Sequence, residues 1–363
     1  MHKIPWWQPK VEKEDYAYVK EALDRNFINE GPLVEQFERD ICARTGSKHA
    51  VATTSCTAAM FLSLRTLGIG HGDEVLVPDI TFIATANAVT LSGATPVLVD
   101  VDENLTIDLG AAHKAITTKT KAIIPVHVSG RSADMEAMSV FAQKHRLFVI
   151  EDAAEAIGST YNGKQLGTFG TMGCLSFAAN KTIATGQGGM VLTGDDSHAE
   201  SLRALRNQGR KGRGTGGDDI HDRIGFNFRM TDLQGGVGLG QLAHLDERLT
   251  RMKRNYELYI EQLGTMPELR IYPVTSATEI PQWTDIELEK RDELEAYLRE
   301  KGIDCRKYWL PLHKQRAYQL PDQAFPNATR LSPRSLWLPS AFTLTDEDIV
   351  TVSEEIREFF AKK

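Results

Sequence analysis

One lysine of the chain, Lys181, has sequence neighbours that suit covalent chemistry. It follows an apolar run, Gly173–Phe177, and precedes a loop that contains Gly186, Gly188 and Gly189. These glycines let the backbone approach another group closely or adopt a positive φ. A partly buried lysine that can lose its proton forms imines with aldehydes. A solvated surface lysine is the alternative, but Lys181 leaves an apolar run and not the polar face of a helix.

Two acidic residues end another apolar run, Leu147–Ile150, and Asp152 is the second of them. In an open α/β sheet, ligands bind at the carboxyl ends of the strands, so Asp152 is well placed to meet a cofactor. A pyridoxal cofactor needs a carboxylate against its ring nitrogen, because a protonated pyridine is the stronger electron sink. The alternative role for Asp152 is the N-cap of a helix.

A third segment, Ser55-Cys56-Thr57, runs from a predicted strand into a predicted helix. Hydroxyls and free backbone N–H groups at a helix N-terminus form a site for anions. Simple helix capping is the alternative. The anion site gains weight because a phosphate-bearing cofactor needs such a cradle near the lysine.

The elements that must position these residues are short apolar runs that alternate with amphipathic helices. Several runs lack polar alternation, which is typical of strands buried on both faces of a mainly parallel sheet. The predicted strands are His49–Thr53, Glu74–Val77, Thr95–Val99, Ala122–Val126, Leu147–Ile150, Gly173–Phe177 and Gly189–Leu192. Helices are predicted at 11–24, 32–45, Ala58–Leu67 and Met135–Lys144, then over a long passage from 230 to 262. The pattern predicts an α/β sandwich.

The chain of 363 residues exceeds what one hydrophobic core usually serves. We expect a large domain over 1–245 and a smaller C-terminal α+β domain over 246–363. The smaller domain would hold a strand at Leu269–Tyr272 and helices at Arg291–Lys301 and Asp346–Ala361.

Charge and cysteine usage exclude several classes of protein. A net charge of −7 argues against a binder of nucleic acid, which would need a basic face. The short basic cluster Arg206, Arg210, Lys211 and Arg213 is rich in glycine and favours a mobile loop. The four cysteines form no C-x-x-C pair, so neither a metal site nor a disulfide framework is expected. With no apolar leader and no membrane span, the expected location is cytoplasmic.

The motifs together resemble the DegT/DnrJ/EryC1/StrS family of sugar aminotransferases, which have the aspartate aminotransferase-like fold (fold type I of the pyridoxal-phosphate enzymes). The resemblance covers essentially the whole chain and is closest to perosamine-synthase-like members. It is carried by Phe27–Pro32, Ser55–Met60, Gly72–Ala88, Gly93–Val101, Val126–Met135, Glu151–Gly158, Ser176–Met190, Gly225–Gly238 and Pro311–His313. It implies a mainly parallel seven-stranded sheet and pyridoxal 5′-phosphate as the cofactor.

The resemblance also implies roles around the cofactor. Lys181 would be the Schiff-base lysine and the group that moves the substrate proton, and Asp152 would hold the ring nitrogen. Phe82 would stack on the ring, with an ordinary core aromatic as the alternative. Glu155 would face the cofactor edge and the sugar. The phosphate would be bound by Ser55, Cys56, Thr57 and Ser176, together with Asn227.

The role of Asn227 implies a second chain, because the matching residue of the family reaches the phosphate from the neighbouring subunit. We therefore expect a homodimer with shared active sites. The residues expected to bind substrate are Glu30, Arg131, Arg229, Arg306 and His313.

The resemblance implies transfer of an amino group from glutamate to a keto-sugar. A nucleotide-linked 4-keto-6-deoxyhexose is the first choice, for the synthesis of amino sugars and O-antigen-type polysaccharide. Ser129 and Arg131 depart from the aromatic residue and the Gln or Pro that are usual in the family. Arg131 could therefore read the carboxylate of a keto-sugar acid. A third alternative is a regulatory protein that binds the cofactor without turnover.

Overall fold

The computed structural model describes residues 3–210 and 220–362. Lys211 and Arg213 of the basic cluster lie outside these residues. Arg206 is buried, and its guanidinium lies 3.1 Å from the carboxylate of Glu38. It is therefore no part of an exposed basic face.

The described residues form a helix at every predicted helical stretch. The helices are α1 (Lys13–Asp24), α2 (Pro32–Thr45), α3 (Cys56–Thr66), α4 (Ala84–Ser92), α5 (Leu109–Ala115), α6 (Met135–His145), α7 (Asp196–Arg206), α8 (Asp232–Leu242), α9 (Leu245–Leu263), α10 (Arg291–Glu300), α11 (Pro326–Leu331) and α12 (Asp346–Ala361). Four of these helices, α4, α5, α7 and α11, were not predicted individually. The long passage predicted from 230 to 262 is two helices, α8 and α9, separated at Ala243 and His244.

The strands include all seven that the apolar runs predict. They are β1 (His49–Thr53), β2 (Glu74–Pro78), β3 (Thr95–Val99), β4 (Thr120–Ile123), β5 (Phe148–Asp152), β6 (Thr160–Tyr161), β7 (Lys164–Gln165), β8 (Met172–Ser176), β9 (Gly189–Thr193), β10 (Leu269–Ile271), β11 (Asp285–Leu288), β12 (Arg306–Lys307) and β13 (Ser335–Trp337). Strand β4 ends before the predicted Val126, because Pro125 has no N–H group to donate to the ladder.

A seven-stranded sheet forms the centre of the N-terminal part of the chain, in the order β1-β9-β8-β5-β4-β2-β3. Strands β8, β5, β4, β2 and β3 are mutually parallel, whereas β9 runs antiparallel to both β8 and β1. Six strands therefore point the same way, and their carboxyl ends share one edge of the sheet. The reversed β9 brings its amino-terminal end to that edge.

Successive residues of each strand enter hydrophobic clusters on opposite faces of this sheet. In β2, Val75 and Val77 pack in one cluster and Leu76 in the other. In β8, Cys174 belongs to the first cluster and Leu175 to the second. Burial on both faces explains the near-continuous apolar runs of the sequence.

A second, antiparallel sheet lies in the C-terminal part, in the order β10-β11-β13-β12. Its core is a separate cluster to which α9, α10 and α12 contribute, for example through Leu258, Leu294 and Ile349. This agrees with the expected α+β character of that part, while the boundary at 245 stays a prediction. No helix among residues 3–210 and 220–362 is both long and apolar enough to span a bilayer.

Helices α1 and α8 pack at close range because α8 is rich in glycine. A Cβ added at Gly240 would lie 2.6 Å from the backbone nitrogen of Asp15 and 2.2 Å from its Oδ1. The nitrogen of Asp15 belongs to the backbone, so α1 as a whole would have to move to relieve this contact.

We expect Gly240→Ala to lower the free energy of unfolding by roughly 1 kcal/mol. Overpacking costs about 1–3 kcal/mol and exceeds the helix-propensity gain of about 1 kcal/mol. Urea denaturation measures the change. The control is Gly194→Ala, whose Cβ would meet no heavy atom within 4 Å. Equal stability of Gly240→Ala and Gly194→Ala would contradict this account of the α1–α8 contact.

Candidate active site

A cavity of about 380 Å³ opens at the edge where the carboxyl ends of the parallel strands meet. Most of its lining comes from segments that follow a strand of the seven-stranded sheet or precede β9, and the rest comes from the second sheet and the segments next to it. The lining includes Ser55, Cys56, Thr57, Thr81, Phe82, His127, Asp152, Glu155, Ser176, Asn180, Lys181, Gln187, Gly188, Trp283, Arg306, Trp309 and Trp337. The structure thus brings together the predicted Schiff-base lysine, the predicted ring-binding acid and four of the predicted phosphate residues, Ser55, Cys56, Thr57 and Ser176.

Lys181 lies in the turn after β8, with its side chain 11% exposed. Its Nζ donates a hydrogen bond of 3.0 Å to Oε1 of Glu155 and lies 5.0 Å from the centre of the Trp283 ring. Burial raises the pKa of Glu155, and the neighbouring Lys181 opposes this effect only in part. The amine is therefore held inside the cavity and is not a solvated surface lysine.

Asp152 ends β5 and is buried beside the cavity. Its Oδ2 accepts a hydrogen bond of 2.8 Å from Thr85 Oγ1, and its Oδ1 accepts one of 3.2 Å from the N–H of Ala154. Burial raises the pKa of Asp152 above the usual value of 3.8 despite these bonds and despite Lys181. No helix begins at Asp152, so the alternative role as a helix N-cap is wrong.

The N-terminus of α3 forms one end of the cavity. Ser55 is its N-cap and accepts a hydrogen bond of 3.1 Å from the N–H of Ala58, so capping and cavity lining coincide. Cys56 and Thr57 open the helix, where N–H groups have no intrahelical partner. Burial raises the pKa of the Cys56 thiol well above its usual range, so this thiol adds no negative charge.

Gly189, the first residue of β9, passes directly against this helix start. A Cβ there would lie 2.4 Å from the backbone nitrogen of Cys56. Ser176, at the end of β8, pairs with Gly189 and faces the same space. The glycine therefore permits the close approach that the loop after Lys181 requires.

Aromatic side chains form the rest of the wall. Phe82 lines the cavity and is 55% exposed, so the alternative of a core aromatic is wrong. Trp283 and Trp337 lie 5.0 Å apart, and the N-terminal Trp6 lies 5.3 Å from Trp283. The guanidinium of Arg306 lies 4.9 Å from the Trp6 ring, among these indoles. The predicted Arg306 therefore reaches the cavity inside a tryptophan cluster, which consists of Trp6, Trp7, Trp283, Trp309 and Trp337.

Arg131 does not line the cavity. Its guanidinium is buried and forms an ion pair with Asp285 of β11. A cation already paired inside the protein is not available to read the carboxylate of a substrate. The prediction that Arg131 binds substrate is therefore corrected by the structure.

His313 is also placed elsewhere. Its ring is fully buried, and its Nδ1 lies 2.5 Å from Oδ2 of Asp79 while its Nε2 lies 3.1 Å from Oδ1 of Asp322. The ring stacks on Phe325 at 4.7 Å. Both ring nitrogens are thus occupied, and His313 anchors its segment to the end of β2 instead of lining the cavity.

The remaining predicted residues lie outside the cavity of this chain. Glu30 accepts a hydrogen bond of 2.5 Å from Arg206. Asn227 and Arg229 lie on the segment beside β1, where the N–H of Thr54 donates to the carbonyl of Phe228. Arg229 Nε lies 3.5 Å from Oδ1 of the exposed Asn227. A role of Asn227 toward a second chain stays a prediction.

Several residues of the site were not predicted from the sequence. Thr85 donates a hydrogen bond to Asp152, and the two threonines that flank Phe82, Thr81 and Thr85, are a signal that could have shown it. His127 lines the cavity, with its Nε2 3.0 Å from Oε2 of the buried Glu151. The tryptophans had no local signal, because they come from distant parts of the chain.

Comparison with known proteins agrees with this geometry. The DegT/DnrJ/EryC1/StrS aminotransferase family model matches residues 9–357. The chain is 36% identical to a GDP-perosamine synthase of Escherichia coli O157:H7, with 100% of both chains covered. It is 38% identical to a GDP-perosamine synthase of Caulobacter vibrioides, over 94% of each chain. The crystal structure of S. venezuelae DesV with a ketimine intermediate has a TM-score of 0.91 and 34% identity, and covers 97% of this chain and 99% of that chain. These matches confirm the expected aspartate aminotransferase-like fold.

The residues present fit pyridoxal 5′-phosphate. Asp152 is a buried carboxylate that two hydrogen bonds do not fully stabilise, and a pyridinium N–H would supply the missing cation. Lys181 offers a primary amine in the same cavity, and the start of α3 offers N–H groups to a phosphate. The cofactor therefore has a partner for its ring nitrogen, its aldehyde and its phosphate.

In cofactor-free protein, we expect Asp152→Asn to raise the free energy of unfolding at pH 7 by ~1 kcal/mol or more. The folded state binds the Asp152 proton more tightly than the unfolded state, so the wild type loses stability as pH rises from 3.8 toward the raised pKa. Asparagine has no charge; its Oδ1 can accept from the Ala154 N–H, and its Nδ2 can donate to Thr85 Oγ1, which then donates to the carbonyl of Phe82. Urea denaturation at pH 7 and at about pH 4, where the gain should be much smaller, measures this linkage.

The control for this prediction is Asp195→Asn at the N-cap of α7. Hydrogen bonds from Ser197 and His198 lower the pKa of the exposed Asp195 to about 2. Its ionised form is favoured by folding, so this variant should gain nothing at pH 7. A loss of stability in Asp152→Asn at pH 7 would show that the carboxylate is not under desolvation strain.

Proposed function

The chain belongs to the DegT/DnrJ/EryC1/StrS family of pyridoxal-phosphate-dependent aminotransferases, and we propose that it moves an amino group from glutamate to a nucleotide-linked 4-keto-6-deoxyhexose. The observation that carries this proposal is the meeting of Lys181, Asp152 and the start of α3 in one cavity. Two relatives, both GDP-perosamine synthases, support a nucleotide sugar as acceptor. The pathway we infer is the synthesis of an amino sugar for polysaccharide.

The residues of the cavity have separate roles in the reaction. When bound, pyridoxal phosphate supplies an electron sink for the carbanion that forms on loss of the substrate Cα proton. Asp152 keeps the ring nitrogen protonated. Lys181, with its amine free, would take the proton from the substrate Cα and deliver it to the former aldehyde carbon of the cofactor, and Glu155 holds that amine at 3.0 Å. The same steps in reverse aminate the ketone of the sugar.

The walls favour a sugar over a small keto acid. The half-buried Trp309 offers an apolar face on which a sugar ring with C–H groups can stack, and the buried Trp283 and Trp337 complete this part of the wall. Arg306 supplies a cation among them, in a position to bind the donor carboxylate or a phosphate of the acceptor. The alternative acceptor, a keto-sugar acid recognised by Arg131, loses its support because Arg131 pairs with Asp285.

Adding L-glutamate to the cofactor-loaded protein should replace the absorbance of bound pyridoxal phosphate by that of pyridoxamine phosphate. A panel of nucleotide-linked 4-keto-6-deoxyhexoses should then restore the first band. Lys181→Ala should slow both changes by at least about a hundredfold, because it removes the acid–base group. Lys114→Ala, at an exposed position on α5, is the matched control. A protein that binds the cofactor but shows no change with glutamate would be a regulatory binder, and the proposal would be wrong.

We further propose a homodimer whose sites are shared through Asn227. Lys181→Ala and Asn227→Ala should each be nearly inactive alone. Mixed under conditions of subunit exchange, they should regain about a quarter of wild-type activity, since half of the dimers carry one intact site. Native mass spectrometry checks that the hybrids form. Hybrids without activity would place both residues in the same subunit's site.

A further inference from the structure

Ser129 has an unusual backbone for a buried serine. Its φ is 54° and its ψ is 24°, in the left-handed region, and its side chain is fully buried. The next residue, Gly130, has a φ of 85°, and a Cβ there would lie 2.2 Å from the carbonyl oxygen of Ile280. Left-handed backbone carries a steric cost for a residue with a Cβ and persists where the surroundings hold it.

The surroundings that hold Ser129 belong to the second sheet and the segment before it. Ser129 Oγ donates a hydrogen bond of 3.0 Å to Asp285 Oδ1 and accepts one of 3.1 Å from Trp337 Nε1. The carbonyl of Ser129 accepts a hydrogen bond of 2.9 Å from the N–H of Gln282. The strained residue is therefore fixed from three sides by the C-terminal part of the chain.

Asp285 is itself held by two donors. The Arg131 guanidinium forms an ion pair with its carboxylate, and the hydroxyl of Tyr308 donates to it over 3.2 Å. Burial raises the pKa of Asp285, and Arg131 gives the largest opposing effect. Without Arg131, a buried carboxylate would lose its counter-charge, and the anchor of Ser129 Oγ would weaken with it.

The left-handed backbone aims the N–H of Ser129 at the site. This N–H donates a hydrogen bond of 2.8 Å to Glu155 Oε2, and the other oxygen of Glu155 accepts from Lys181 Nζ. The two oxygens of one carboxylate thus join the strained turn to the reacting amine. A rotation of the Ser129 peptide would remove this N–H and free the carboxylate to turn.

We propose that Ser129, Arg131 and Asp285 form a positioning unit for Glu155. The Arg131–Asp285 ion pair keeps Ser129 in its left-handed conformation, and the Ser129 N–H fixes Glu155 against Lys181. This role rests on the proposed function in taking Lys181 as the reacting amine. Arg131 and Ser129 both depart from the usual family residues, and in this chain both would serve to position Glu155.

The main test is the double variant Arg131→Met/Asp285→Leu, which removes the ion pair together with the acceptor of the Ser129 Oγ hydrogen bond and leaves no unpaired buried charge. Its matched control is Arg251→Met/Asp346→Leu, which removes an ion pair between α9 and α12. Both are loaded with pyridoxal phosphate, and the absorbance of the bound cofactor is titrated with pH. Asp152, His127, Lys181 and Arg306 also line the cavity and are unchanged in both variants.

We expect the titration midpoint of the double variant to fall by at least about half a pH unit, because a displaced Glu155 carboxylate no longer favours the protonated cofactor–lysine linkage. We also expect kcat for the glutamate half-reaction to fall about tenfold, with KM changed less than twofold. The control should match the wild type in all three quantities. A double variant that folds, binds cofactor and matches the control overturns the proposal.

Ser129→Ala decides the matter if the double variant does not fold. Alanine keeps the Cβ that makes the left-handed backbone costly, but it lacks the Oγ that joins Asp285 and Trp337. We expect the same downward shift of the midpoint, and an unshifted midpoint in this variant overturns the proposal. If wild type shows no reaction with glutamate while the midpoint still falls in the variants, the proposed function fails and the positioning unit stands.

Discussion

The arrangement of the cavity depends on the buried carboxylate of Asp152. Moving a carboxylate from water into a protein costs free energy unless a cation or enough hydrogen bonds meet it. Thr85 and Ala154 supply two hydrogen bonds, and the pKa of Asp152 is still raised. The nearby cation, Lys181, is bonded to Glu155 instead. Because the Glu155 carboxylate binds Lys181, the Asp152 carboxylate is left for a cationic ring. The positions of these two carboxylates therefore define where a cofactor can lie.

Strand direction explains how residues from so many segments reach that carboxylate. The parallel strands end at a single edge, so the segments after β1, β2, β5 and β8 converge there. Strand β9 runs the other way and therefore begins at this edge, where Gly189 passes against the start of α3. One reversed strand thus lets the loop after Lys181 return to the sheet beside the phosphate cradle.

Much of the fold and part of the site could be predicted from sequence, because the signals are local. The strands could be predicted because both faces of the sheet are apolar, as Val75, Leu76 and Val77 show. Ser55, Asp152 and Lys181 could be predicted because each lies at or shortly after the end of a strand. The positions of Arg131 and His313 outside the cavity could not be predicted, because their partners are distant in sequence. Arg131 pairs with Asp285, 154 positions away, and His313 pairs with Asp79, 234 positions away. The role of Trp283 was hidden for the same reason.

All five tryptophans of the chain lie in one cluster, three members of which line the cavity, and this has an optical consequence. Indole emission from this protein originates almost wholly near the junction of the two sheets, and α1, α2 and α6 contribute none of it. Fluorescence therefore reports the loosening of that junction, whereas circular dichroism reports the helices of the whole molecule. A heating experiment followed by both signals would separate local opening of the site from global melting, with no label introduced.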